Sequence, residues 1–242
     1  MKNEKTYNNN NDKNMSILEH LSELRTRIFI AFMVFCITTI ICLVYTKKVA
    51  FVLQQPASGI KFLQLGPGEY LFVSIKVALY LGITLSSPFS IYQIMLFVLP
   101  GLTQKEVKYI VPSLVGSIVL FFSGLLFSYY VLIPAALNFL IDYGSDIVEP
   151  IWSFEEYFNF VILLLLSTGM AFQIPIIQIL LGLLRIVSWQ NMLKKWKYVA
   201  FIATILGAII TPSTDPVTQI FMTSAILILY FTGIFILRIL NK

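Results

Sequence analysis

The chain has 242 residues, 58% of them hydrophobic and only 12% charged, with mean hydropathy +0.84 and a formal net charge of +5. A water-soluble domain of this length needs a largely polar surface, so the composition excludes a soluble globular protein. Continuous rather than alternating apolar runs exclude a membrane β-barrel, which leaves an all-α polytopic membrane protein.

Residues 1–15 are polar and Asn-rich and read as a disordered tail. This stretch has neither the cleavage pattern of a signal peptide nor the Arg-rich, acid-poor character of a transit peptide, so the first span is expected to be retained. Residues 16–242 read as one membrane domain. It opens with SILEHLSELRTR, where Ser16 and Glu19 have the spacing of a capping box. Leu18, Leu21, Leu24 and Ile28 recur at helical spacing on one face, with His20, Glu23 and Arg27 on the other.

Span one is expected over 28–45, with Cys36 and Cys42 too differently oriented to pair or bind metal. A loop with Lys47, Lys48, Pro56 and the turn Gly66-Pro67-Gly68 leads to span two, 70–99, where Pro88 after Ser86 and Ser87 predicts a kink. Pro100-Gly101 ends it, and a polar link containing Glu106 precedes span three, 110–139. An acidic loop leads to span four, 154–184, interrupted by Gln173 and Pro175. A basic link leads to a short span five, 198–211. The turn Pro212–Pro216 places Asp215 as a candidate N-cap before span six, 217–237. Tyr45, Tyr70, Trp152, Trp189, Trp196 and Tyr198 fall at span ends, as interfacial anchors do.

Six spans put both termini on one side. Most of the 17 basic residues lie on that side, including Arg25, Arg27, Lys105, Lys108, Arg185 and the Lys194–Lys197 cluster. Glu69, Asp142, Asp146, Glu155, Glu156 and Asp215 gather on the other. The positive-inside rule then places both termini in the cytoplasm or its plastid equivalent, the stroma. The net charge orients the protein and is not a nucleic-acid footprint. The halves show no internal repeat of the inverted-transporter kind.

Enzyme classes fail on inventory. The single histidine, His20, lies outside the spans, and there is no HExxH motif, no serine–histidine pair at membrane depth and no phosphate-binding glycine loop. No cofactor or metal is implied. What stands out are polar groups in unexpected places. Glu19, Glu23 and Glu106 sit among basic residues on the inner face, where two carboxylates can clamp two guanidiniums by bidentate bonds. The alternative is a plain solvated collar in which Glu23 pairs with Arg27 one turn away and Glu106 with a nearby lysine. Gln173 sits about midway along span four, where Pro175 also frees the Ala171 carbonyl. It either ties two helices together or lines a partly wet concave face. Lys76, near the start of span two, is expected to snorkel to the interface. A six-span solute or ion transporter would use Gln173, Asp215 and Lys76 as pathway residues.

Four segments together, HLSELRTR, YQIMLFVLPGLTQKE, FQIP and ITPSTDPVTQ, resemble the TatC family, the six-span receptor of the twin-arginine protein translocase, from about Met15 to Leu240. The resemblance implies a curved six-helix bundle with both termini inside. It also implies binding of twin-arginine signal peptides of precursor proteins, with single-span TatA-like and TatB-like subunits as partners in an oligomeric complex driven by the proton gradient. Glu23 and Glu106 match the family's recognition carboxylates, and Leu21, Arg25 and Phe97 match further positions of that site. Pro56 and Asp215 match positions on the opposite, lumenal or periplasmic side. Gln173 matches a polar position that many bacterial members fill with glutamate. This glutamine, with FLQLGPGEY and ITPSTDPVTQ, resembles cyanobacterial and plastid members and implies a thylakoid membrane, with a bacterial inner membrane as the alternative.

Overall fold

The computed structural model describes residues 17–99, 107–144, 151–210 and 216–240. Five of its helices are long and apolar enough to cross a membrane, and a sixth, shorter apolar helix covers Trp196–Ile209. The first, α1 (Ile17–Cys42), is continuous, so the polar collar and span one form a single rod. It ends in a turn at 43–45, and α2 (Thr46–Gln54) runs into a 3-10 turn, Gln55–Ala57, with Pro56 in its first positions.

The long helix α3 (Glu69–Val98) remains one helix through Pro88. Proline has no N–H for the carbonyl four residues back. That carbonyl belongs to Thr84, and the Ser87 hydroxyl donates to it at 2.8 Å. The neighbouring Ser86 hydroxyl donates to the Ile83 carbonyl at 3.3 Å. The serines that accompany the proline in sequence therefore keep its backbone satisfied at membrane depth.

The third span comprises α4 (Ile110–Phe127), one π-turn (Ser128–Leu132) and α5 (Ile133–Gly144). Pro134 lies just beyond the π-turn, a usual place for helix geometry to widen where a hydrogen bond is missing. The fourth span divides where Pro175 leads one to expect: α6 (Phe154–Ala171) ends at the freed carbonyl, a turn at 172–173 follows, and α7 (Ile174–Leu183) resumes. The Ser153 hydroxyl caps α6 by accepting from the Glu156 N–H. A short helix α8 (Trp189–Lys194) precedes α9 (Trp196–Ile210), and α10 (Pro216–Leu240) begins at the proline that the sequence places at its first position.

One feature lies outside the all-α expectation. Strands β1 (Lys61–Leu63) and β2 (Ile151–Ser153) pair in parallel, Phe62 opposite Trp152, and join the two loops that precede α3 and α6.

The core centres on α6. Phe158, Val161, Leu164 and Leu165 are buried with Val73 and Val77 of α3, Phe121 and Leu125 of α4, and Leu132 and Ile133 of the third span. Helix α7 packs on α10, and α9 also packs on α10. Helix α1 makes its main contact with α3, and the apolar stretch that would cross the membrane is not buried.

Lys76 has partners that the sequence did not name. Its ammonium donates to Glu155 Oε1, in the first turn of α6, and to Asn159 Oδ1, both at 2.7 Å, linking α3 to α6. The acid and amide sit on successive turns of α6 at i and i+4, so they meet one cation together.

Candidate functional site

Glu23, Leu24 and Arg27 lie along the half-buried flank of α1, and Leu21 and Arg25 are exposed on the other. The i,i+4 spacing brings Arg27 back onto Glu23. Arg27 Nε donates to Glu23 Oε1 at 2.9 Å and Nη2 donates to the same oxygen at 2.5 Å. The third contact crosses to α3: Arg27 Nη1 donates to Gln93 Oε1 at 3.2 Å. Gln93 is a buried amide, and it is the residue by which α3 meets the charged end of α1.

The second oxygen of Glu23 is different. Oε2 is buried and accepts no hydrogen bond from the described residues. His20 Nδ1 lies 3.9 Å from it. The His20 ring lies flat on Phe97 of α3, with centroids 4.2 Å apart and planes 13° from parallel. Of the residues expected at the inner-face site, the structure thus brings Glu23 and Phe97 together through His20. Leu21 and Arg25 stand beside them on the outward side of α1. Glu106 lies outside the described residues.

Below this cluster opens a concave apolar pocket of about 530 Å³, walled by α1, α3, α4 and the α6–α7 break. Arg27, Gln93 and Phe97 lie on its lining, as do Ser86, Ser87 and Ser90 along α3 and, on the far wall, Gln173. Gln173 is held by its neighbour: its Nε2 donates to the Ser117 carbonyl at 3.1 Å, and the Ser117 hydroxyl donates to its Oε1. The sequence left open whether Gln173 ties helices or lines a concave face; it does both, because the bonded amide still borders the pocket.

On the opposite end, the turn carrying Pro56 hangs from two tyrosines. Tyr129, in the π-turn, donates to the Val52 carbonyl at 2.9 Å. Tyr157, in α6, donates to the Leu53 carbonyl at 2.6 Å. Asp215, expected on the same side, lies outside the described residues.

Gln93, Ser117, Tyr129 and Tyr157 escaped the sequence reading. Gln93 carried a signal, a single amide inside an apolar run. Ser117 did not, because a serine in a membrane helix usually satisfies itself on its own backbone.

The family profile described as "Sec-independent protein translocase protein (TatC)" matches residues 19–224. A tatC-like protein of Gracilaria tenuistipitata var. liui is 65% identical over 97% of this chain and 99% of its own length. The Sec-independent protein translocase protein TatC of Synechocystis is 54% identical over 96% of this chain and 91% of its own. The chloroplastic TATC of Pisum sativum is 45% identical over 96% of this chain and 66% of its own. Among solved structures, a crystal structure of the twin-arginine translocase receptor TatC superposes with a TM-score of 0.81 at 33% identity, covering 93% of this chain and all of that one.

Proposed function

This chain belongs to the TatC family of Sec-independent protein translocases, and from that premise we propose that its inner face is a receptor for twin-arginine signal peptides. It is a multi-pass plastid membrane protein, akin to the algal and chloroplastic relatives. In this reading six spans cross the thylakoid membrane with both termini in the stroma. Glu23 and Glu106 take the two guanidiniums. Leu21, Arg25 and Phe97 shape the surface around them, and the apolar pocket below receives the part of the signal peptide C-terminal to the arginines. Single-span TatA-like and TatB-like subunits assemble on the bundle for translocation of folded precursors. No covalent chemistry is required of any residue.

The observation that carries the reading is Glu23 Oε2, a buried carboxylate oxygen with no donor among the described residues, beside Leu24 and Arg27, which line the apolar pocket. Leaving such an atom unpaired costs about 1–3 kcal/mol or more, which an arriving N–H donor returns. The solute-transporter alternative is less well supported: Lys76 is engaged by Glu155 and Asn159, and Gln173 by Ser117.

The test is site-specific crosslinking of a twin-arginine precursor to the membrane-embedded chain. Glu23→Ala and Glu106→Ala are each expected to reduce the specific adduct strongly. Undiminished crosslinking in both would overturn the receptor reading.

A further inference from the structure

Glu23 is half occupied in an asymmetric way. One oxygen takes both of the hydrogen bonds that Arg27 gives the carboxylate, and the other takes none among the described residues. An arriving arginine binds a carboxylate best as a fork, with one N–H on each oxygen. It cannot do so while Arg27 covers Oε1. We infer that Arg27 is a built-in stand-in for the substrate's guanidinium, and that it must transfer from Glu23 to Gln93 before an arginine can seat. The inference rests on the receptor reading above and adds the competitor and the place to which it withdraws.

The geometry provides that place. Arg27 Nη1 already reaches Gln93 Oε1 at 3.2 Å, so the guanidinium bridges α1 and α3 before anything binds. Gln93 and Arg27 both line the pocket, and the arginine can pivot about this contact without leaving its wall. Guanidinium has five N–H donors, so giving up two to Glu23 leaves others free for the amide. His20 does not take Arg27's place. Its ring is stacked on Phe97, and its Nδ1 lies beyond hydrogen-bonding distance of Oε2.

The charged groups of the described residues nearest Glu23 in the fold come from its own helix. From α1 there are Arg27, Glu19 one turn before it and, conditionally, His20. From α3 there are only the neutral Gln93 and Phe97. An internal competitor of the same chemistry as the ligand has a definite consequence. It lowers the affinity for every ligand by the fraction of time it occupies the site. A lysine, a point charge without a planar fork, gains less from the freed carboxylate than an arginine. Arg27 therefore raises the concentration that either ligand needs by one common factor, which a paired arginine, the stronger ligand of the freed carboxylate, meets more readily than a paired lysine.

The test measures binding of a fluorescent synthetic signal peptide to the full chain in nanodiscs, with an arginine-pair peptide and its lysine-pair analogue. Arg27→Gln is expected to tighten binding of both peptides about fivefold or more and to leave the arginine-over-lysine ratio unchanged. Gln93→Leu removes the seat to which Arg27 withdraws and is expected to weaken binding. The double variant is expected to behave like Arg27→Gln alone. A purely structural role for the pair would weaken binding in all three. Arg27→Lys, which keeps a cation but not the fork, is expected to fall between wild type and Arg27→Gln, and it serves if the glutamine variant does not fold. Glu23→Gln separates the two ideas. If it leaves arginine-pair binding unchanged, the receptor reading itself fails. If it abolishes binding while Arg27→Gln and Arg27→Lys leave affinity unchanged or lower it, only the stand-in is overturned.

Discussion

Helices α1 and α6 have similar apolar composition and opposite roles. Phe158, Val161, Leu164 and Leu165 of α6 are buried against four other segments, so α6 is the post around which the bundle closes. Helix α1 has Ile28, Phe29, Phe32, Ile40 and Ile41 exposed and packs chiefly on α3. In lipid there is no hydrophobic penalty for leaving such residues uncovered, so packing and hydrogen bonds decide which helices are held firmly. The candidate recognition carboxylate thus sits on a helix held from one side, through α3, and its pocket lies between that helix and the frame. Such a division suits a site whose occupant must displace an internal ion pair.

The largest effect is expected where the frame itself is wedged. A Cβ at residue 233 would lie 3.0 Å from the Pro175 Cα and collide with the Gln178 amide. Backbone cannot yield as a side-chain tip can, so Gly233→Val should destabilise the chain by about 3 kcal/mol, the upper end for overpacking. Thermal unfolding in detergent should show one lowered transition, with peptide binding lost in proportion to unfolding. A variant that melts like wild type would mean that α7 and α10 are not a fixed pair.

The same operation on α1 should act differently. A Cβ at residue 82 would lie 3.1 Å from the Thr39 Cα, and the Thr38 hydroxyl, which reaches the Gly82 carbonyl at 3.3 Å, would be pushed away. Because α1 is open on its other side it can tilt, and Gly82→Val should cost only about 1–2 kcal/mol. Binding of the arginine-pair peptide should nevertheless fall sharply, since Glu23 leaves the Gln93 and Phe97 wall. Equal losses of stability in the two glycine variants would remove the contrast between the helices.

A third, smaller effect tests the far end of the frame. Tyr157→Phe removes the donor to the Leu53 carbonyl and should cost about 1 kcal/mol, a typical net hydrogen bond. Protease cleavage in the segment around Pro56 should rise with peptide binding unchanged, because the inner face is at the other end of the bundle.

These contrasts were unevenly legible in the sequence. The spans were, because continuous runs of about 20 apolar residues are what a bilayer crossing demands and a soluble fold avoids. So was the break in span four, since Pro175 has one carbonyl to orphan. At Pro88 the sequence shows the missing N–H but not the Ser87 hydroxyl that substitutes on the Thr84 carbonyl within a continuous α3. The β1–β2 pair was invisible, as three-residue strands joined across almost 90 residues leave no periodic trace. At the site, Glu23 could be singled out from its setting, but its two oxygens could not be told apart. That distinction depends on Arg27, which is local, and on burial beneath α3, which is not. The partners of Lys76 were hidden for the same reason: Glu155 and Asn159 lie on a helix far along the chain.

The smallest expected effect concerns the pocket's far wall. Gln173 and Ser117 exchange two hydrogen bonds, and polar contacts between membrane helices average only about 0.6 kcal/mol, because the unfolded chain also finds partners. Gln173→Leu alone leaves the Ser117 hydroxyl without its acceptor, and Ser117→Ala alone leaves the Gln173 carbonyl oxygen without its donor. The double variant orphans neither side chain. A double-mutant cycle on unfolding should therefore show a coupling of about 0.6 kcal/mol, with the double variant less destabilised than the two single losses added together. The readout that distinguishes a fastening from a working part is transport. If Gln173 only fastens α4 to the α6–α7 break, the double variant should move precursor at the wild-type rate, its stability nearly restored. A rate that stays low in a double variant that melts normally would show that the amide acts on the peptide entering the pocket, so that the far wall takes part in recognition beside α1 and α3.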